Sequence, residues 1–330
     1  MKSVKRTALR IAAATAASGV LAAGAVALAG AASASTLSPA SAISYSFETL
    51  DNAHDVTFNQ LLGINDEGVI AGYFGSGAAG HPNKGYLLLP PYGQANYVNE
   101  NFTHSVQTQV TGLNNRGVTV GFWSNTNKGV GMDANFGWVN VNGHFRSVNF
   151  PTEDPATPPV DQLLGVNDSD IAVGFWVDAN GNNHGYEYNI GTGSYSSIVD
   201  PNSPGASLTA AAINDLGQVA GFYTNPATGN TDGFLLSHGR LTDLAVKGAS
   251  ATMALGVNSL GEVVGTYTVG SGSSAVMHGF TWTRQHGFTT VDDPHGVGTT
   301  TINGVNDRGQ LVGFYTVDNN AITDGFLATP

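Results

Sequence analysis

Cysteine is absent from the 330 residues, which excludes disulfide bracing, thiol catalysis and thiolate metal sites together. A chain without cross-links must be held by its core alone, which is practicable at nearly 300 residues and not at fifty. Charge is scarce as well, at 11% of residues, less than half the usual share. Cations are the scarcer sign, with twelve Lys and Arg against 24 Asp and Glu. So few cations cannot neutralise a phosphate backbone, so nucleic acid is excluded as a partner and an anionic membrane surface is disfavoured. Helical amphipathic periodicity is missing beyond the first three dozen residues. There is no Gly-x-Ser-x-Gly elbow and no glycine-rich phosphate loop with a lysine, which leaves nucleophilic hydrolysis and nucleotide chemistry without a motif.

The first ten residues hold four of the twelve cations (Lys2, Lys5, Arg6, Arg10) and none of the acids. An alanine-rich apolar run follows over residues 11–29, and Ala32-Ser33-Ala34 supplies a small-residue cleavage site. This order predicts a secretory signal peptide over residues 1–34, leaving 35–330 as one secreted, extracellular domain. The run is too weakly apolar to favour a membrane anchor. The domain that remains is more acidic than the formal charge of −12 for the whole chain.

Glycine is abundant, at 44 residues, and its placement is periodic. Six segments align: LLGINDEGVIAGYF, VTGLNNRGVTVGFW, LLGVNDSDIAVGFW, AAAINDLGQVAGFY, ALGVNSLGEVVGTY and INGVNDRGQLVGFY. Their anchor asparagines are Asn65, Asn114, Asn167, Asn214, Asn258 and Asn306. About twenty residues after each comes a Gly-aromatic pair, from Gly85-Tyr86 to Gly325-Phe326, and after most of these a further alternating stretch. Four short strands per repeat, at this period, predict an all-β, six-bladed β-propeller. The Asn-Asp-x-Gly segments read as tight hairpins between first and second strands, with glycine supplying positive φ and Asp170 replacing it once. An Asn at each of these turns reads as an Asx-turn acceptor for its own backbone. The glycine inside each second strand (Gly221 in repeat four) predicts a crowded site against a neighbouring blade's aromatic. Repeat six ends without a fourth strand, while residues 43–51 form an unassigned one. The N-terminal strand is therefore expected to complete the last blade as its outer strand.

The recurring GxNxxGxxVGxY…GF pattern resembles the extracellular repeat family known as HAF, over residues 43–330. The resemblance implies a propeller-like fold on a secreted bacterial protein and brings no general activity with it. Of the His-Ala-Phe that names the family, the histidine stands here in His184-Gly-Tyr186 and His278-Gly-Phe280, with Lys84, Phe136, Asp232 and Asp324 at the other copies.

Function in a repeat scaffold sits on variable loops carried by a rigid frame. The loops after second and fourth strands share one face and hold most of the acids and histidines. Three readings of them stay open. Glu153, Asp161, Asp292 and Asp293 are candidate catalytic carboxylates for a glycan-cleaving enzyme, hydrolase or lyase, which needs two carboxyls roughly 5 to 9.5 Å apart. Asp178, Asn180 and Asn182 have the alternate-residue oxygens of a calcium loop, without its sixth-position glycine or distal glutamate. The third reading makes Asp and Asn strand terminators and turn formers. For binding, the candidates are Gln60, Gln109 and Gln162 as an arc five residues before their anchors, His184 and His278, and Trp123 and Trp176 as sugar-stacking platforms. The leading reading is a monomeric binding or scaffold module for an extracellular polysaccharide or protein, with no cofactor required.

Overall fold

The computed structural model describes residues 43–317 and 321–330; the expected signal peptide lies outside them. Each repeat folds into a four-stranded antiparallel sheet. The first strand in the described chain, β1 (Ser46–Thr49), stands apart from the first repeat. Blade 1 is β2 (Asn59–Ile64), β3 (Ile70–Phe74), β4 (Lys84–Leu88) and β5 (Tyr97–Asn99). Blade 2 is β6 (Gln107–Leu113), β7 (Thr119–Ser124), β8 (Phe136–Val141) and β9 (His144–Val148). Blade 3 is β10 (Asp161–Val166), β11 (Ile171–Val177), β12 (Asn183–Asn189) and β13 (Tyr195–Ile198). Blade 4 is β14 (Leu208–Ile213), β15 (Val219–Thr224), β16 (Thr231–Ser237) and β17 (Arg240–Leu244). Blade 5 is β18 (Ala251–Val257), β19 (Val263–Val269), β20 (Val276–Thr283) and β21 (Gly287–Thr290). Blade 6 has β22 (Thr301–Val305), β23 (Leu311–Val317) and β24 (Ile322–Thr329), and its fourth strand is β1, paired antiparallel from Ser46↔Thr329 to Thr49↔Phe326. Second strands pack on the first strands of the next blade around the whole cycle, including β23 on β2. Among the described residues no helix is long and apolar enough to cross a membrane.

The Asn-Asp-x-Gly turns form as their residues dictate, with Asp170 at φ 58° in the copy that lacks glycine. The anchor asparagines do more than shape their own turns. Asn65 Oδ1 accepts from Val69 N at 2.9 Å, as an Asx acceptor should, but its Nδ2 donates to the Asn114 carbonyl at 3.1 Å. The link repeats from Asn114 to Asn167, Asn214, Asn258 and Asn306, and Asn306 Nδ2 returns to the Asn65 carbonyl at 3.0 Å. Six amides thus close a hydrogen-bonded hoop around the axis. A second series of five links lies on it, in which the backbone N–H of Asp66, Asn115, Asp168, Ser259 and Asp307 each donates to the side-chain Oδ1 of the following blade, and it breaks where Ser259 has no such oxygen to offer Asp215. That face of the molecule is tied off.

Every first strand carries a bulge three residues before its anchor, as between Ala210 and Ala212. A carbonyl just ahead of this bulge lies against the second-strand glycine. A Cβ on Gly221 would meet the Thr209 carbonyl oxygen and stand 2.6 Å from the Phe234 ring. Phe234 is Gly221's register partner on β16, so the crowding aromatic belongs to the same blade and not, as expected from sequence, to its neighbour. Near the axis, Leu164 and Phe175 of blade 3 pack with Ala211 and Phe222 of blade 4, and with Met253 and Leu255 of blade 5.

Candidate functional site

Six residues before each anchor, the first strands carry Asn59, Thr108, Asp161, Leu208, Thr252 and Thr300. Five of these six use a side-chain oxygen to fix the loop that leads into the blade. Asn52 N donates to Asn59, Phe102 N to Thr108, Phe150 N to Asp161 at 2.7 Å, Val246 N to Thr252 and Asp293 N to Thr300. Asp161 is therefore one version of a recurring tie. It also accepts from the Tyr186 hydroxyl at 2.6 Å, which supplies that buried phenol with a partner. Burial pushes its carboxyl up to about 7, against the two hydrogen bonds that favour the charged form.

The other carboxylate candidates lie elsewhere. Glu153 is exposed on the loop into blade 3. Asp292 pairs with His278 Nδ1 at 2.7 Å and accepts from Gly279 N. Asp293 is fully buried and its Oδ1 takes the N–H and Nδ1 of His295. Asp161 belongs to blade 3, whereas Asp292 and Asp293 follow blade 5. The sequence had offered them as a group, but the contacts of Asp161, Asp292 and Asp293 commit each of these three to local structure.

The loop of Asp178, Asn180 and Asn182 closes on itself. Asp178 Oδ1 accepts from the N–H of Asn180 and of Asn182, and Oδ2 from Asn182 Nδ2 and His184 Nε2. Burial raises the Asp178 carboxyl, but these donors outweigh it and leave it at about 2. Its oxygens are spent on the turn, and Asn182 offers a donor where a calcium loop needs an acceptor. Among the described residues no three His, Asp or Glu side chains converge to hold a metal ion.

The two tryptophans are half-buried and their faces are in use. Trp176 stacks on Phe150 at 5.7 Å and on His184 at 4.4 Å between ring centres. Trp123 stacks on Phe102 at 4.5 Å and leans on Phe136. His184 is thus held between Trp176 and Asp178, and His278 lies against Tyr267 with Asp292. Gln60, Gln109 and Gln162 are 0, 3 and 1% exposed, so they do not floor an open site. Gln60 accepts from the Tyr73 hydroxyl, while Gln109 and Gln162 donate to Asn83 and Asn135 of the preceding blade. Gln109 and Gln162 are thus ties across blade seams, whereas Gln60 ties the first two strands of its own blade.

The seams themselves reveal the site. Parallel main-chain bridges join Phe58 to Thr323, Asn135 to Val160, Thr231 to Ala251 and Met277 to Thr299, which seals four of the six seams at their loop-face ends. Between blades 1 and 2, Thr108 N donates to the Asn83 carbonyl and the Gln107 side chain fills the gap. Its Oε1 accepts from Asn83 N, and its Nε2 donates to the Thr126 carbonyl and Asp133. Between blades 3 and 4 the equivalent of Gln107 is Ser207. Here Asn183 N donates to Ser207 Oγ at 2.9 Å and Asn183 Nδ2 to Thr209 Oγ1 at 2.8 Å. A serine is too short to plug the seam. What remains is a cavity of about 210 Å³ lined by Asn180, Asn182, Asn183, Ser207, Thr209, Thr224 and Thr231, with Phe222 and Tyr223 behind. Amides and hydroxyls dominate its wall and no charged side chain lines it. None of the residues singled out from sequence as catalytic or ligand-binding is among them; Asn180 and Asn182, read as metal ligands, are.

No protein-family model matches the chain, and no curated protein sequence matches it. Similar solved structures include a TolB-like protein from Agrobacterium tumefaciens, 11% identical over 87% of this chain and 98% of that one, with a TM-score of 0.55. A protein of unknown function from Dyadobacter fermentans is 10% identical over 86% of this chain and 97% of that one, with a TM-score of 0.53. The SapL1 lectin, solved in complex with alpha methyl fucoside, is 7% identical over 79% of this chain and 88% of that one, with a TM-score of 0.50. At these identities the likeness concerns the fold, and the fold is a β-propeller.

Proposed function

We propose that this chain is a secreted carbohydrate-binding module, of the extracellular repeat family its motif resembles, which holds a polysaccharide at its loop face. The observation that carries the reading is the cavity between blades 3 and 4. Its volume of about 210 Å³ falls below the roughly 300–1,000 Å³ of sites for drug-sized ligands, a size suited to a single sugar ring. Sugar hydroxyls are donors and acceptors at once, and a wall of amides and hydroxyls answers both roles. The SapL1 lectin gives the fold a precedent for sugar binding. Binding is favoured over cleavage because Glu153, Asp161, Asp292 and Asp293 do not line this cavity.

The test is a glycan array with the purified protein, followed by titration of the best ligand against Ser207→Gln. That variant copies the plug of blade 2 and keeps an acceptor for Asn183 N. Binding should fall at least about tenfold, the loss of roughly one or two hydrogen bonds to the sugar, with an unchanged unfolding midpoint. Should Ser207→Gln fold poorly, Asn180→Ala reads the same contact, since only the main chain of Asn180 is tied to Asp178. A blank array, or full binding by the folded variants, overturns the proposal.

A further inference from the structure

The cavity wall is neutral, but its surroundings are not. Tyr223 donates to Asp243 Oδ1 at 2.9 Å, and its register partner across the sheet is Asp232. Asp232 Oδ2 accepts from Asn225 Nδ2 at 2.6 Å. Asp200 precedes the loop that brings Ser207 to the seam and acts electrostatically on Tyr223 together with Asp232 and Asp243. On the blade 3 side, Asp178 holds the Asn180–Asn182 turn. Four carboxylates therefore surround a cavity whose lining has no cation. Among the described residues, His184, on Asp178, is the one chargeable base ion-paired with any of them. Among the described residues the only lysine or arginine ion pair is Arg116–Asp170, on the opposite face.

Resting on the carbohydrate-binding reading, we infer that this cleft selects sugars by charge, taking an amine-bearing hexosamine unit in preference to a neutral one and rejecting uronate or sulfated units. The amine of such a sugar titrates near neutrality, so in mildly acidic buffer it carries its proton, which the surrounding carboxylates favour further. Seated in the cavity, it lies within a Debye length of the surrounding carboxylates, where attraction survives at low salt. A uronate meets the same field with the opposite sign and finds no guanidinium or ammonium in the cavity lining to pair with. Desolvating it there would go uncompensated.

Titration in mildly acidic buffer with three oligosaccharides of equal length tests this: a glucosamine oligomer, its N-acetylated form and an oligogalacturonate. At low ionic strength the amine form should bind roughly tenfold tighter than the N-acetyl form, and the uronate not at all. The advantage should shrink to about twofold at about 0.5 M salt, where screening is nearly complete at these distances. In Asp232→Asn/Asp243→Asn it should fall to about threefold at low salt, with N-acetyl binding unchanged. Ser207→Gln must abolish the tight binding, which separates the cleft from diffuse attraction to an acidic protein. Equal affinity for amine and N-acetyl forms at low salt overturns the charge inference while the binding reading stands. So does amine binding indifferent to Ser207→Gln. Failure of all three oligomers, with a blank array, removes both.

Discussion

At the scale of single residues, two side-chain choices explain more than their size suggests. Gly221 has no room for a Cβ, hemmed by the Thr209 carbonyl and the Phe234 ring. Gly221→Val should cost about 1–3 kcal/mol by overpacking, read as a lowered thermal midpoint, whereas Ser196→Val on the exposed strand β13 should change little. Equal midpoints would refute the crowding. The glycine was legible in the sequence, but its neighbour was not, because the strand register that sets Phe234 opposite it leaves no trace in spacing. The anchor asparagine was half legible. As an Asx acceptor an aspartate would serve equally, yet all six copies carry the amide. The uniform amide marked a donor, and that donor makes the links between blades.

At the scale of elements, the joint between β1 and β24 has its own chemistry. Asp51, just beyond β1, accepts from Gly325 N at 3.0 Å. Its carboxyl also shares a hydrogen bond with Asp324, which in turn touches Tyr315. In blade 5 the same two positions hold Asp292 and His278, an acid and a base. Burial, and then the neighbouring Asp324, push Asp51 up to about 6, while the Gly325 N–H works against them. The folded state then holds this proton more tightly than the unfolded chain does. Its contribution is present in full below about pH 4 and is lost as pH rises towards 6. Asp161 adds a fall of the same sign that ends near 7. Unfolding midpoints measured from pH 4 to 7 should therefore decline for the native protein, and less steeply for Asp51→Asn. Parallel declines would show that the joint does not hold the proton. Spacing placed β1 beside β24. It could not show that two acids would share one bond there, since the contact depends on how Asp51 leaves the strand.

At the scale of the whole molecule, the ring was the most legible feature, because six repeats and one orphan strand admit a single economical closure. Deleting residues 43–51 should lower the midpoint of the entire transition, not merely fray one end, because Phe47 and Leu50 also cover Phe326 and the seam between blades 6 and 1. A midpoint equal to that of the intact domain would refute this. The cleft was the least legible feature. It exists because one seam has a serine where others have main-chain bridges or a glutamine, and the difference is a volume, which no motif records. The circuit of asparagines carries a consequence for how such a chain comes into being. Every link runs head to tail, and the last runs from Asn306 back to Asn65, 241 residues apart. A growing chain can stack its blades in order, yet the Asn65 carbonyl of the first has only its own turn's Gly68 N–H, and an apolar flank (Leu61, Leu88) stays bare, until Asn306, Val312 and Leu327 arrive. Until then it is an open arc, with the exposed surface that makes partly folded chains associate. Cutting the circle between any two blades and joining residues 330 and 43 instead would leave all six links intact. The architecture has an order of assembly, but no privileged first blade.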